Sequence, residues 1–288
     1  MIFLLLSILT NAALYSIFKM FDRFQVQTLP AIVVNYFIAF IIGICFVPDL
    51  QCALSSAVEF PIWTTGALLL GIVFIFVFNL TGTTARKLGV SVTTIASKMS
   101  LALAVMLFVW IDPAEKMSMV KLLAIILALV GVYLSSIKDI GAKLQMGSLM
   151  LPALILLGGT TIDFGIAYFS SFPANENELK LYSCLSFGMA GLCGAILMTY
   201  QLIRGMIKVT MRDFVGGAVL GTVNYGSILF LVLSYDAGIM QKSELLPVNN
   251  LGVVLVSAFS AVLFFKEKLT SYNWLGLALS VIALVLLL

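Results

Sequence analysis

Long apolar runs alternate with short polar segments along the whole chain, and none of the polar segments is long enough to hold a soluble domain. A helix that crosses a membrane needs about 20 predominantly apolar residues. The pattern therefore predicts ten membrane-spanning helices joined by short loops. We place them near residues 2–18, 30–48, 62–82, 90–111, 118–137, 147–171, 181–203, 214–234, 243–265 and 272–288.

The composition indicates that lipid, not water, surrounds most of this chain. Of its 288 residues, 62% are hydrophobic and only 10% are charged, whereas a soluble globular protein carries about 25% charged residues. The first apolar run lacks the basic start and the small-residue cleavage site of a signal peptide, so we expect it to be a span. The sequence thus predicts an all-α, multi-pass integral membrane protein.

Two charged residues stand apart from the rest, because every other charge falls in a loop or near the end of a span. Lys98 lies about 12 Å into the fourth span, and Asp163 lies at a comparable depth in the sixth. A charge at the membrane centre costs at least about 2.5–3.5 kcal/mol, so it must face a partner or water. We expect both residues to line a polar cavity, where they contact the substrate or a coupling ion. The alternative is a static ion pair that fixes helix packing.

Other polar and aromatic side chains within the predicted spans are further candidates for contact with a substrate. They are Asn11, Ser97, Asn79, Asn224, Asn249, Asn250, Tyr15, Tyr168 and Tyr225. For each of them, hydrogen bonding between helices is the competing interpretation, because such bonds are common in membrane proteins. Pro247 lies inside the ninth span and predicts a kink, which would serve either as a hinge or only in packing.

Polar residues recur at one fixed separation along the chain, which indicates an internal repeat. At an offset of 152 residues, Glu115 falls on Glu267, Lys98 on Asn250, and Asn11 on Asp163. Two halves of five spans follow, residues 1–140 and 145–288. Because five is odd, the second half enters the membrane from the opposite side, as in an inverted repeat. The alternative to a repeat is that any two apolar helices look alike in sequence.

Several short segments resemble the EamA repeat of the drug/metabolite transporter superfamily. These are residues 85–92 (ARKLGVSV), 234–238 (SYDAG), 265–270 (FKEKLT) and 274–276 (WLG). The resemblance covers almost the whole chain. It implies two inverted five-helix EamA repeats that form a ten-helix bundle around a central cavity. It also implies a bacterial inner-membrane location and a role in solute export.

The leading functional hypothesis is a secondary transporter that works by alternating access. Its expected substrate is a small polar or amphipathic metabolite, such as an amino acid-like compound, with a proton or a counter-solute as coupling partner. The first alternative is a flippase for a lipid-linked intermediate. Alternatives from another class are a membrane assembly protein that transports nothing and an intramembrane enzyme.

Several functions are disfavoured by what the sequence lacks. It contains no histidine, no close pair of cysteines and no Gly-x-x-x-x-Gly-Lys-Ser/Thr motif, so we expect neither a metal site nor ATP hydrolysis. A single intramembrane acid and base are too few for most enzyme mechanisms. We therefore predict no enzymatic activity, no cofactor and no nucleic-acid partner, and we expect a monomer or a weak dimer in the lipid bilayer.

The distribution of basic residues predicts an orientation. Loops after odd-numbered spans carry 11 Lys and Arg residues, and loops after even-numbered spans carry 4. The positive-inside rule then puts both termini outside the cytoplasm. The family resemblance implies the reverse orientation, and the two stand as alternatives.

Overall fold

A computed structural model of the chain describes residues 1–111, 118–135, 146–169, 172–173, 175–236 and 242–286. In these parts the regular secondary structure is helical, without a strand. The helices are α1 (Ile2–Phe24), α2 (Thr28–Cys45), α3 (Leu50–Val58), α4 (Ile62–Lys87), α5 (Val90–Lys98), α6 (Ser100–Ile111), α7 (Met119–Ser135), α8 (Met146–Phe169), α9 (Glu176–Ile203), α10 (Met211–Asp236), α11 (Lys242–Leu263) and α12 (Ser271–Leu286).

Helix length and apolar character confirm the prediction of an all-α, multi-pass membrane protein. Within the described residues, six helices are long and apolar enough to cross a membrane. These segments are Ile2–Phe24, Thr28–Cys45, Ile62–Lys87, Leu149–Ile166, Asn177–Ile203 and Met211–Leu231. Four shorter apolar segments, Val90–Ala104, Met119–Leu134, Val248–Leu263 and Ser271–Leu286, fall on the remaining predicted spans. The total of ten spans, in two repeats, stays a prediction.

Side-chain caps begin several of the helices, and one of these helices was not predicted. Asp49 accepts a hydrogen bond from the Cys52 N–H at 3.0 Å and starts α3, in a segment that the sequence analysis treated as loop. Asn175 caps α9 through the Glu178 N–H, also at 3.0 Å, while its own amide donates to the Glu178 carboxylate. Both caps satisfy N–H groups that a helix start leaves free.

The fourth predicted span, residues 90–111, contains an irregularity of one residue that the sequence did not predict. α5 ends at Lys98, Met99 forms a turn, and α6 begins at Ser100. The Met99 N–H still donates to the Ile95 carbonyl at 2.9 Å, whereas the Ala102 N–H donates to the Met99 carbonyl at 3.1 Å, three residues back. A tightened turn therefore separates two half-helices.

The described chain forms two compact units, and each takes residues from both predicted halves. The first unit comprises residues 1–19, 80–164 and 226–288, and the second comprises residues 20–79 and 165–225. The boundaries fall inside α1, α4, α8 and α10, so each of these helices contributes to both units.

In the first unit, α5 and α6 are embedded in a core built with α7, α8, α11 and α12. Its most deeply buried members include Ile95, Met99, Ile155 and Leu284. Met99 itself is fully buried, so the turn between the half-helices lies inside this core and not at its surface.

In the second unit, α10 packs closely on α2 through two glycines. A Cβ on Gly217 would overlap the Ala31 carbonyl oxygen, and one on Gly221 would lie 2.6 Å from the Asn35 carbonyl oxygen. Only glycine permits this approach of two helix backbones, as at small-residue contacts in other membrane proteins.

Two sequence markers lie partly or wholly outside the described residues. Residues 112–117, which include Glu115, are not among them, and neither are residues 237–241, which include the end of the SYDAG segment. The pairing of Glu115 with Glu267 therefore stays a prediction.

Candidate functional site

The first half-helix of the broken span is fixed at its start by an acidic residue from another part of the chain. Gly89, at φ 107°, precedes α5 and has no side chain to cap it. Instead, the Glu267 carboxylate accepts a hydrogen bond from the Val90 N–H at 2.9 Å. Lys19 lies 3.9 Å from Glu267 and also donates to the Arg86 carbonyl at 3.2 Å. α5 is thereby anchored at the end opposite to Lys98.

The break itself brings each intramembrane charge to a helix end of opposite polarity. Lys98 is the last residue of α5, where the carbonyl groups at a helix C-terminus carry partial negative charge. Asp163 contacts Ser100, the first residue of α6, where free N–H groups carry partial positive charge. Discontinuous helices stabilise ions within membranes through the same end charges.

Hydroxyl groups bridge the break and connect it to α8. The Ser100 hydroxyl lies 2.5 Å from Asp163 Oδ2 and 2.6 Å from the Ser97 carbonyl oxygen. The Thr160 hydroxyl lies 3.3 Å from the Ser100 carbonyl oxygen. The half-helices thus find, in side chains, hydrogen-bonding partners for backbone groups at the break.

The absence of a side chain at Gly159 allows α8 to approach the break. A Cβ at that position would lie 2.8 Å from Ser100 Cβ and 2.9 Å from its hydroxyl oxygen. Such distances do not occur between real side chains without displacement, so contact between Asp163 and Ser100 depends on this glycine.

α1 contacts the same site through Tyr15. Its hydroxyl donates to Ser97 Oγ at 3.0 Å, and the tyrosine is buried. One residue further, Ser16 and Ser260 share a hydrogen bond of 3.2 Å that joins α1 to α11. The structure therefore brings together three of the predicted site residues: Tyr15 and Ser97 directly, and Asp163 through Ser100.

Lys98 and Asp163 do not form the direct ion pair that one interpretation of the sequence required. No nitrogen–oxygen distance between them is within 4.0 Å, although both residues are described. The charge of Lys98 still acts electrostatically on Asp163. Among the described residues, the Lys98 ammonium has no hydrogen-bond acceptor, and its side chain is half-buried.

Within the described residues, the remaining candidates of the first unit form no hydrogen bond to this network. Asn249 and Asn250 are buried on α11, and Asn11 is half-buried on α1. Within the described structure, Asn249 Oδ1 has no hydrogen-bond partner. α11 continues as a helix through Pro247, whose side chain is outside the described part, so a kink at Pro247 stays a prediction.

Four further candidates belong to the second unit. Asn224 donates to Asn35 Oδ1 at 3.2 Å, and both amides are buried. Tyr225 stacks on Phe46 with ring centroids 5.7 Å apart. Tyr168 meets Phe169 and Phe172 edge-on, and Asn79 is half-buried on α4. Asn224 and Tyr225 thus have packing roles that need no ligand.

Sequence reasoning did not identify Gly159 and Thr160 as part of the site. Both belong to a run of small residues, 158–161 (GGTT), one turn before Asp163 on the same helix. Small residues next to an intramembrane acid indicate close helix contact and could have drawn attention to them. In the part of the chain that the structure describes, no three His, Cys, Asp or Glu side chains group as a metal ion would require.

Comparison with known proteins defines the fold and leaves the function to the site. No family model matches the chain. An uncharacterized protein of Haemophilus influenzae is 23% identical over 289 aligned positions, which cover 98% of this chain and 95% of that protein. A crystal structure with 13% sequence identity superposes with a TM-score of 0.53, covering 97% of this chain and 96% of the other. The chain therefore shares its fold, almost from end to end, with a solved structure.

Proposed function

We propose that this chain is a secondary transporter of the EamA type, in the drug/metabolite transporter superfamily. It moves a small polar or amphipathic metabolite, such as an amino acid-like compound, across the bacterial inner membrane without changing it chemically. Support comes from the apolar helices at all ten predicted positions. The second compact unit adds support, because it consists of two segments of almost equal length, one from each predicted half.

The observation that carries the proposal is the Lys98 ammonium beside the helix break, which has no hydrogen-bond acceptor among the described residues. A buried charge is costly, and a direct bond to Asp163 would have reduced that cost. The break instead keeps the two charges near each other but apart. A substrate carboxylate would bind the ammonium of Lys98, and another polar group of the substrate would face Asp163.

The break also supports a mechanism of alternating access. Two half-helices joined by a single turn tilt independently more readily than one continuous helix does. α5 is anchored through Glu267, while α6 is linked to α8 through Ser100 and Thr160. In the proposed mechanism, tilting at Met99 opens the site to one side of the membrane and then to the other.

Reconstitution into liposomes tests this proposal. A panel of labelled amino acids and related metabolites is screened for flux with the wild-type protein, with and without a proton gradient. For a transported solute, we expect Lys98→Met and Asp163→Asn to abolish flux. Lys208→Met and Glu59→Gln change the same kinds of charge at exposed positions and should transport normally.

Two results would contradict the proposal. One is an absence of flux for every solute in vesicles that contain folded protein. The other is wild-type flux in both Lys98→Met and Asp163→Asn, which would reduce the two charges to a structural role.

A further inference from the structure

The Ser100 hydroxyl has two oxygen neighbours but only one proton to share between them. Asp163 Oδ2 lies 2.5 Å away and the Ser97 carbonyl oxygen lies 2.6 Å away. A serine hydroxyl donates one hydrogen bond and can accept others, whereas a carbonyl oxygen only accepts. If Asp163 were ionised it could only accept as well, and the single Ser100 proton would have to be shared between two acceptors that both lie at short distance.

We propose that Asp163 carries a proton in this conformation and donates it to Ser100 Oγ, while Ser100 donates its own proton to the Ser97 carbonyl oxygen. The proton on Asp163 is then the coupling ion of the transporter; this last statement alone rests on the proposed function. In this state, which we call the relay, Asp163 donates to Ser100 and Ser100 donates to Ser97. The Ser97 carbonyl at the helix break thus accepts a hydrogen bond.

Loss of the proton changes the break. The proton leaves Asp163 for water, and the carboxylate that remains accepts the hydrogen bond of Ser100. The Ser100 hydroxyl can no longer donate to Ser97, so the Ser97 carbonyl at the end of α5 is released. One proton thereby alters the hydrogen bonding between the two half-helices.

The charged and titratable groups around Asp163 link this proton to the solute. On α5 the charged group is Lys98, and on α1 Tyr15 donates a hydrogen bond to Ser97 Oγ. When Asp163 is neutral, the positive charge of Lys98 lacks a counter-charge among the described residues. A carboxylate-bearing solute supplies one, so proton and solute favour each other's binding. For a solute whose only charge is its carboxylate, the charges of Lys98, Asp163 and the solute sum to zero both when proton and solute are bound and when neither is bound.

The short oxygen separations favour a proton over a metal cation as the bridging ion. A cation such as Ca²⁺ keeps each oxygen ligand about 2.3–2.6 Å from itself, so its ligands stand farther from one another than that. At 2.5 and 2.6 Å, the oxygens of Asp163, Ser100 and Ser97 are at hydrogen-bond distance and leave no space for an ion between them.

Infrared spectroscopy of the purified full-length protein in liposomes tests this inference without any solute. At neutral pH, we expect a protonated-carboxyl band that shifts in deuterated water and is lost at high pH. Asp163→Asn should remove the band, and Glu59→Gln should keep it. Ser100→Ala should shift it to higher frequency through loss of the hydrogen bond, whereas Thr161→Val, on an exposed part of α8, should leave it in place.

Two spectra would overturn the inference: one in which wild type and Asp163→Asn do not differ at neutral pH, and one in which added sodium removes the band at constant pH. If Asp163→Asn does not fold, the wild-type deuterium shift and the Ser100→Ala frequency decide alone.

The outcome of this experiment is separate from the outcome of the transport experiment. A protonated-carboxyl band without flux of any solute would contradict the proposed transport function and leave the protonation of Asp163 standing. Solute flux that depends on Asp163, without such a band, would contradict the protonation of Asp163 and leave the transport function standing.

Discussion

Lys98 and Asp163 lie on opposite sides of the helix break at Met99 and do not form an ion pair with each other. Lys98 ends α5, Asp163 contacts the first residue of α6, and no nitrogen–oxygen distance between them is within 4.0 Å. The carbonyl groups at the end of α5 stabilise the charge of Lys98 in place of a direct pair. This arrangement leaves the ammonium open to a ligand, which a closed ion pair would not.

Replacement of Lys98 by arginine and by methionine should distinguish the role of its charge in solute flux from the role of its shape. Lys98→Met removes the charge, and we expect loss of flux for the transported solute. Lys98→Arg keeps the charge on a bulkier, planar group, so we expect flux to persist with a raised KM, because the point charge of lysine is not reproduced. Initial rates in liposomes over a range of solute concentrations measure both. Equal kinetics for wild type and Lys98→Met would mean that the solute does not contact this residue.

Gly159→Ala should lower stability, because the new methyl group would overlap Ser100. Overpacking of this kind costs about 1–3 kcal/mol. Gly226→Ala is the matched control, since a Cβ there meets nothing nearer than 3.7 Å. We expect that substitution to be neutral or to stabilise its helix by about 0.5–1 kcal/mol. Unfolding in mixed detergent micelles measures both, and equal midpoints would show that α8 does not approach the break so closely.

Glu267→Ala should destabilise the protein more than Lys19→Met does. The glutamate caps α5 through Val90, and loss of a helix cap costs about 0.5–2 kcal/mol. The ion pair is longer, at 3.9 Å, with Lys19 partly exposed, and such pairs contribute about 0.2–1 kcal/mol. The same unfolding measurement ranks the two variants. The reverse order would assign the main role of Glu267 to the ion pair.

Asn35→Ala should cost stability but leave solute binding intact. The substitution removes the buried hydrogen bond from Asn224, which joins α10 to α2. Bonds of this kind between membrane helices contribute about 0.6 kcal/mol on average and up to about 1.7. Unfolding midpoints and the KM for the transported solute should therefore move independently. A changed KM with unchanged stability would return Asn224 to the substrate-binding residues.

The helices could be predicted from the sequence because lipid imposes a simple requirement, a long apolar run for each span. The break at Met99 could not, because the segment 96–100 (ASKMS) contains neither proline nor glycine. Its stability comes from distant residues, namely Thr160 and Asp163 on α8, which local sequence does not connect to it. Pro247 lies within α11, and the kink that the sequence predicts there stays a prediction. Likewise, the pattern of apolar runs predicted how deep Lys98 and Asp163 lie within their spans. It did not predict that the two side chains form no direct ion pair.

Accessibility of the break to water tests the central claim most directly. In a background where the four native cysteines are replaced, Ser97→Cys is treated with a membrane-impermeant thiol reagent, from one side of the membrane and then from the other. Ala128→Cys, buried in the core of the first unit, is the unreactive control. A site that alternates predicts labelling of Ser97→Cys from both sides and protection by a transported solute. No labelling from either side, or labelling from one side only under all conditions, would contradict it.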